Sequence, residues 1–258
     1  DALLLYEQAA EMGAAAGLNE TELGSRLNIA QSHHYLLHHR VALEQLRALL
    51  PRLDAVDYPA LHRFGAIAYV YALIETGAFA DAKTALDRLN ERTPKDATTD
   101  AVVDVRLDEA GIRLALGDPA AAIPLAESVR RDRDPQSAPD RPLEAAAVLL
   151  DAYVDAGDRK AAAALAADAP TWSNANASAP ARVRAHVALA RYAADARDAA
   201  AALDHYRQAL ALARDFGTPL VLRDAAVPYA EFQLAAGAVD VARATASVVG
   251  PYAEDDFQ

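Results

Sequence analysis

The chain has no cysteine among its 258 residues. This absence excludes disulfides, thiolate metal ligands and cysteine nucleophiles. It leaves the compartment open, because a cysteine-free chain suits a reducing and an oxidising environment equally well. We expect a cytoplasmic protein and keep the periplasm as the alternative.

Long apolar stretches are also missing. The sequence contains no uninterrupted apolar run of about eighteen residues, which a membrane-spanning helix requires, so we expect no membrane span. The first ten residues, DALLLYEQAA, lack the basic region and the cleavage site of a signal peptide.

Basic residues are outnumbered by acidic ones, 25 against 37, which gives a net charge of −12. Binding of duplex nucleic acid requires a cationic face that neutralises phosphates, so we expect no direct nucleic-acid partner. The negative charge instead favours partners that carry basic segments.

Motifs of the common enzyme classes do not occur in the sequence. The phosphate-binding patterns GxGxxG and GxxxxGK[ST], the nucleophile elbow GxSxG and the zinc motif HExxH are all missing. Carboxylates are plentiful, but catalytic pairs need burial or close approach to separate their pKa values. We therefore expect a protein that is not an enzyme and that uses neither a cofactor nor a metal.

Alanine dominates what is present, with 66 of the 258 residues, whereas aromatic residues make up only 6%. Alanine has the highest intrinsic helix propensity, and its small side chain lets helices approach closely. Alternating β-branched runs are almost missing. The composition predicts an all-α fold.

Glycine reveals an internal repeat. The chain holds only eleven glycines, and four of them, at positions 77, 117, 157 and 237, share one phase of a 40-residue interval, with Arg197 at the same phase. Alanine recurs in the same frame at Ala2, Ala42, Ala82, Ala122, Ala162, Ala202 and Ala242. A shared phase among so few glycines indicates repeated structural units.

Each unit predicts a helix, a tight turn and a second helix. The frame glycine is expected to end the first helix in a left-handed conformation. Three aspartates are expected to cap second helices: Asp118, Asp158 and Asp198. Four prolines are expected to begin first helices: Pro59, Pro142, Pro180 and Pro219. The frame alanine lets the second helix pack closely against the first.

These features resemble the tetratricopeptide repeat family, in the variant with units of about 40 residues that occurs in bacterial regulatory proteins. The family's turn glycine matches the frame glycines, and the aromatic residue that follows this glycine matches Phe79. The family's second-helix alanine matches the frame alanines, and the aromatic and the alanine that come after it match Tyr206 and Ala209. The closing proline of the family matches Pro94. The resemblance covers essentially the whole chain. It implies a right-handed α-solenoid of stacked antiparallel hairpins.

The resemblance predicts one repeat domain over residues 1–258. We expect residues 1–18 to be the second helix of a truncated repeat and residues 251–258 to begin a further helix. Six hairpins lie between them, at 19–58, 59–98, 99–139, 140–179, 180–217 and 218–250. Both ends resemble interrupted repeats, so we expect a fragment of a longer protein whose output domain lies elsewhere.

The same resemblance implies a binding scaffold, the sensory or interaction region of a larger regulatory protein, which holds a peptide or protein segment. Stacked hairpins form a groove that is lined mainly by first helices. One stripe of these helices varies between units and supplies the candidate site residues: Tyr35, Phe64, Tyr71, Asp104, Asp108, Glu144, Asp151, Asp155, Arg184 and Arg191. The acidic middle suits a basic partner segment, and the two arginines suit a carboxylate.

Two alternatives to this binding site stay open. Charged stripes commonly do no more than solvate a helix face. A small molecule could also bind near Tyr35, Phe64 and Tyr71 and control an attached output domain.

The segment QSHHYLLHHR, residues 31–40, holds four of the seven histidines. His34 and His38 have the i, i+4 spacing that can present two imidazoles to one ion, but zinc sites usually use three or four protein ligands. A pH-sensing cluster is an alternative, because imidazole titrates near neutral pH. We favour turn surface and helix packing, with His33 against a neighbouring unit.

Overall fold

The computed structural model describes residues 2–92, 100–131, 140–169 and 177–252, and it leaves out the side chains of residues 92 and 100–104. Within these ranges the regular structure is helical throughout, so the predicted all-α fold is confirmed. None of the described helices is long and apolar enough to span a bilayer. The helices are α1 Ala2–Ala15, α2 Asn19–Tyr35, α3 His39–Asp54, α4 Pro59–Glu75, α5 Phe79–Arg92, α6 Asp100–Ala115, α7 Pro119–Arg131, α8 Arg141–Asp155, α9 Arg159–Ala167, α10 Ala179–Asp195, α11 Ala199–Phe216, α12 Pro219–Ala235 and α13 Val239–Ala246.

The chain forms two compact units, which divide just after residue 101. In the first unit the consecutive helices from α1 to α5 pack on one another, and α2 also contacts α4. In the second unit α10 packs against its hairpin partner α11 and also against α8 and α12. Contacts between alternate helices are typical of stacked hairpins, in which first helices line up beside first helices. The repeat boundaries stay a prediction.

The turns between paired helices have the predicted left-handed residue. The frame glycines Gly77, Gly117, Gly157 and Gly237 have φ between 72° and 79°. At the first of these turns the amide of Ala78 donates to the Leu73 carbonyl at 2.8 Å and that of Gly77 donates to the Ile74 carbonyl at 3.0 Å. This pair of bonds is the Schellman arrangement, which satisfies carbonyls at a helix end.

Two residues that carry a Cβ occupy the same turn position as the frame glycines. Arg197 has φ 61° and Leu37 has φ 66°. A Cβ disfavours this conformation because it approaches the following carbonyl oxygen. The repeated geometry therefore holds these two residues in a conformation that their own side chains oppose.

The predicted caps and helix starts are confirmed. The carboxylates of Asp118, Asp158 and Asp198 accept hydrogen bonds from the amides three residues later at 3.0–3.1 Å. The four predicted prolines occupy the first turn of α4, α8, α10 and α12, where the missing amide hydrogen costs nothing.

The frame alanines are buried wherever they lie on a second helix after α1. Ala42, Ala82, Ala122 and Ala202 have no exposed surface, and Ala162 and Ala242 are 2% and 6% exposed. Ala2, which shares the frame, is exposed on α1. The small side chain is thus used for close packing at six of the seven frame positions.

Candidate binding face on helices α8, α10 and α12

The sequence-predicted site residues fall in both units. In the first unit Tyr35 ends α2 and is 43% exposed, and Phe64 on α4 is 39% exposed. Tyr71 lies two turns after Phe64 on α4 and is half-buried. The His34 ring lies 6.1 Å from the Tyr35 ring and 6.4 Å from the Tyr71 ring, so His34 connects the two tyrosines.

The histidine segment forms two pairs across the turn between α2 and α3. The Nδ1 atoms of His33 and His38 lie 3.3 Å apart, and so do those of His34 and His39. His39 is buried, and its Nε2 lies 3.7 Å from an oxygen of Glu75. The contacts therefore join residues five apart rather than the i, i+4 pair His34 and His38. Among the described residues no group of three or more histidines and carboxylates is placed to hold a metal ion.

In the second unit the structure brings three predicted residues into direct contact. One terminal nitrogen of Arg191 on α10 donates a hydrogen bond to Asp151 at 2.6 Å, and the other donates to Asp155 at 2.7 Å. Both aspartates lie on α8. A guanidinium fork is well suited to holding two acceptors in this way. The sequence pattern predicts that Arg191 binds a partner's carboxylate, whereas both carboxylates that it contacts here belong to the chain itself.

Burial and the neighbouring charges shift the pKa values of this ion pair in opposite directions. Burial raises the pKa of Asp151, and the guanidiniums of Arg191 and Arg184 oppose that rise. Burial also acts against the charge of Arg191, but Asp151 and Asp155 more than offset it and raise the pKa of Arg191. The side chains of Arg191 and Asp155 remain about a third exposed, at 34% and 36%, so a ligand can reach the outer half of the pair.

The other predicted residues lie around this ion pair or apart from it. Arg184 is exposed on α10, two turns before Arg191, and its charge acts on Asp151. Glu144 is half-buried in the first turn of α8, and Asp108 is half-buried on α6. The side chain of Asp104, like Pro94, lies outside the described residues.

An aromatic cluster beside the ion pair was missed at the sequence level. Tyr206 on α11 is 3% exposed and stacks on Tyr229 of α12, with 5.4 Å between ring centroids and 11° between ring planes. Phe232, also on α12, packs against the same ring at 5.4 Å. The sequence carried one indication, since Tyr206 matches an aromatic position of the repeat family.

Charged residues at and near the ion pair shift the pKa of the Tyr206 hydroxyl. Burial raises the pKa of Tyr206 to about 12, and Asp151 and Glu231 add to the rise while Arg191 opposes it. Glu231 on α12 is exposed. We define the charged face as Asp151, Asp155, Arg184, Arg191 and Glu231, which are carried by α8, α10 and α12.

The charged face can exchange an internal ion pair for an external one. Its three carboxylates outnumber its two guanidiniums, and Asp155 and Arg191 are each reachable from solvent. A cationic ligand group can compete for the aspartates, and a ligand carboxylate can compete for the arginines. Such an exchange of ion pairs is suited to holding a charged ligand.

Comparison with known proteins identifies the fold. No protein-family model and no curated protein matches the chain. Among solved structures, the crystal structure of a Rap protein complexed with competence and sporulation factor matches with a TM-score of 0.64. The two chains are 13% identical, and the match covers 99% of this chain and 77% of the Rap chain. With its all-helical architecture, the chain therefore has a tetratricopeptide-like helical-repeat fold.

Proposed function

We propose that this chain is a non-enzymatic scaffold that binds a peptide or protein segment across the charged face. The observation that carries the proposal is the Arg191 ion pair, which joins two neighbouring first helices and leaves its outer half exposed. The Rap structure of the same fold contains a bound factor, which supports a binding role for helical repeats of this kind.

The charge of the face favours a basic partner segment. Asp151, Asp155 and Glu231 supply three carboxylates, and one of the two arginines is already held by two of them. A lysine or arginine of the ligand can pair with Asp155 while Arg191 keeps its bond to Asp151. An extended peptide or an amphipathic helix has suitable dimensions for such a face.

The proposed setting is the sensory or interaction region of a larger bacterial regulatory protein. Support comes from the resemblance to lengthened tetratricopeptide repeats and from the competence and sporulation factor in the Rap structure. Occupation of the repeat by its ligand would then control an attached output domain.

A second candidate function is small-molecule sensing in the first unit. It rests on the exposure of Tyr35 and Phe64 and on the contact of both Tyr35 and Tyr71 with the His34 ring. Aromatic rings with a nearby imidazole suit a planar or cationic ligand.

The test uses fluorescence anisotropy with labelled peptide pools of basic, neutral and acidic composition. We expect the basic pool to bind, and D155K to weaken that binding about tenfold because it reverses a charge at the exposed half of the ion pair. The matched control is D240K, which makes the same charge change at a residue of α13 whose side chain is 95% exposed.

Equal affinity of wild type and D155K for the basic pool would remove the charged face from the proposal. Preference for the neutral or acidic pool would remove the basic partner. A thermal-shift screen with small molecules tests the second candidate, because a bound metabolite raises the unfolding midpoint with no peptide present. F64A then abolishes the shift if the aromatic residues form the pocket.

A further inference from the structure

Histidine pairs recur at the contacts between paired helices. His186 on α10 and His205 on α11 place their Nδ1 atoms 3.2 Å apart, with ring centroids 5.5 Å apart. The pairs His33–His38 and His34–His39 show the same Nδ1 contact at 3.3 Å. Six of the seven histidines thus form three pairs: two cross the turn between α2 and α3, and the third joins α10 to α11.

The contact between His186 and His205 has room for one hydrogen only. Neutral imidazole has one nitrogen that donates and one that accepts, so one Nδ1 donates to the other at 3.2 Å. If both rings become cationic, both Nδ1 atoms carry a hydrogen and no acceptor remains between them. Protonation therefore replaces an attraction between α10 and α11 with a like-charge contact.

The surroundings of this pair offer little compensation for a positive charge. Both rings are half-buried. Among the described residues, the charged groups that act on His186 are His205 and Asp204 from α11 and Arg182 from its own helix, and none comes from α8, α9 or α12. Asp204 acts on His205 as well. One carboxylate thus faces two imidazoles and a guanidinium.

We propose that His186 and His205 form an acid-sensitive latch that ties α10 to α11 when both rings are neutral and releases the hairpin when they are protonated. The latch does not depend on the proposed binding function. It does sit on the helix that carries Arg184 and Arg191, so its release would loosen the part of the charged face that α10 contributes.

The direction of the pH effect follows from the pKa values. Burial, His205 and Arg182 lower the pKa of His186 from an ordinary 6.5 to about 4, while Asp204 opposes them. Burial likewise lowers the pKa of His205. An opened or unfolded hairpin takes up protons near pH 6.5 and the closed hairpin does not. The stability that this pair supplies is therefore complete above pH 6.5 and is lost as the pH falls towards 4.

The direct test is a pH titration of the imidazole nitrogens by NMR on the full chain. At neutral pH we expect one ring of the pair to carry its hydrogen on Nδ1 and the other to carry it on Nε2. H205Q removes the neighbouring positive charge, so we expect the titration midpoint of His186 to move up towards 6.5. Identical tautomers, or an ordinary midpoint for His186 that H205Q does not change, would overturn the latch.

Hydrogen exchange tests whether the latch opens the hairpin. After correction for intrinsic exchange rates, we expect the opening equilibrium of α10 and α11 to rise about tenfold between pH 6.5 and pH 5. The double variant H186Q/H205Q should lose this response. The control H62Q changes the remaining histidine, whose Nε2 faces a carboxylate oxygen of Asp54 at 2.8 Å, and it should keep the response.

An unchanged acid response in H186Q/H205Q would overturn the proposal. If that double variant does not fold, the tautomers and the titration of the wild-type chain decide the question, because they need no substitution.

Discussion

The guanidinium of Arg191 contacts the carboxylate of Asp151 at 2.6 Å, and the two residues are 40 positions apart in sequence. This separation equals one repeat, so the same position on two successive first helices carries opposite charges. Neighbouring first helices of the second unit are thus joined by an ion pair as well as by apolar packing. The charged face is therefore part of the stacking of the repeats as well as a proposed binding surface.

Removal of the arginine from this pair should destabilise the chain. R191M leaves Asp151, whose side chain is 13% exposed, without its guanidinium. We expect a loss of about 1–3 kcal/mol in the free energy of unfolding, which is less than for a fully buried pair because Arg191 is a third exposed. Urea denaturation measures this loss. The double variant D151L/R191M should recover much of it, and a wild-type midpoint for R191M would refute this role of the pair.

Glycine at the exposed one of the two unfavourable turn positions should stabilise the chain. R197G relieves an exposed residue with φ of 61°, whereas Leu37 is buried in the core and is left unchanged. Since a left-handed residue with a Cβ costs about 1–2 kcal/mol and glycine loses part of this gain through chain entropy, we expect about 0.5–1 kcal/mol from R197G. Thermal unfolding measures the gain. G157A makes the reverse change at φ 72° and should lower the midpoint; a higher midpoint for G157A would contradict this account of the turns.

The frame alanines allow a matched test of helix packing. Ala202 has no exposed surface, so A202L should overfill the contact within its hairpin and cost about 1–3 kcal/mol. A2L places the same side chain at an exposed position of the same frame and should be close to neutral. Chemical denaturation of both variants checks this. Equal losses for the two would mean that alanine is not required for close packing.

Alkaline pH should weaken the fold through Tyr206. Burial raises the pKa of Tyr206 to about 12, above the ordinary value of 10. A group with a raised pKa supplies stability that is complete below pH 10 and is lost as the pH rises towards 12. We expect Y206F to reduce this alkaline loss, as measured by denaturation across that range. Y252F, at an exposed ring, is the control, and an undiminished loss in Y206F would contradict the assignment.

Local features of the fold were accessible from the sequence. The turn glycines, the aspartate caps and the helix-starting prolines each act within a few residues, so residue type and spacing determine them. The alanine frame likewise predicted small buried residues, and six of its seven alanines are buried. Arg197 was assigned to the turn by phase alone, and its positive φ agrees with that assignment.

The contacts of the candidate site were less accessible. The 40-residue frame placed Asp151 and Arg191 at equivalent positions, but it did not reveal that the two side chains bond to each other. The histidines likewise pair five residues apart because the left-handed turn at Leu37 redirects the chain. The stack of Tyr206 on Tyr229 depends on how α11 packs against α12, which one helix's periodicity does not contain. The assignment of these residues to ligand binding stays a prediction.

The measurement that tests the binding claim most directly is a hydrogen-exchange footprint of the full chain with and without a bound basic peptide. If the charged face binds the peptide, we expect slower exchange in α8, α10 and α12 around Asp155, Arg191 and Glu231, and loss of this protection in D155K. Protection confined to helices outside this face, or protection that persists unchanged in D155K, would contradict this binding role.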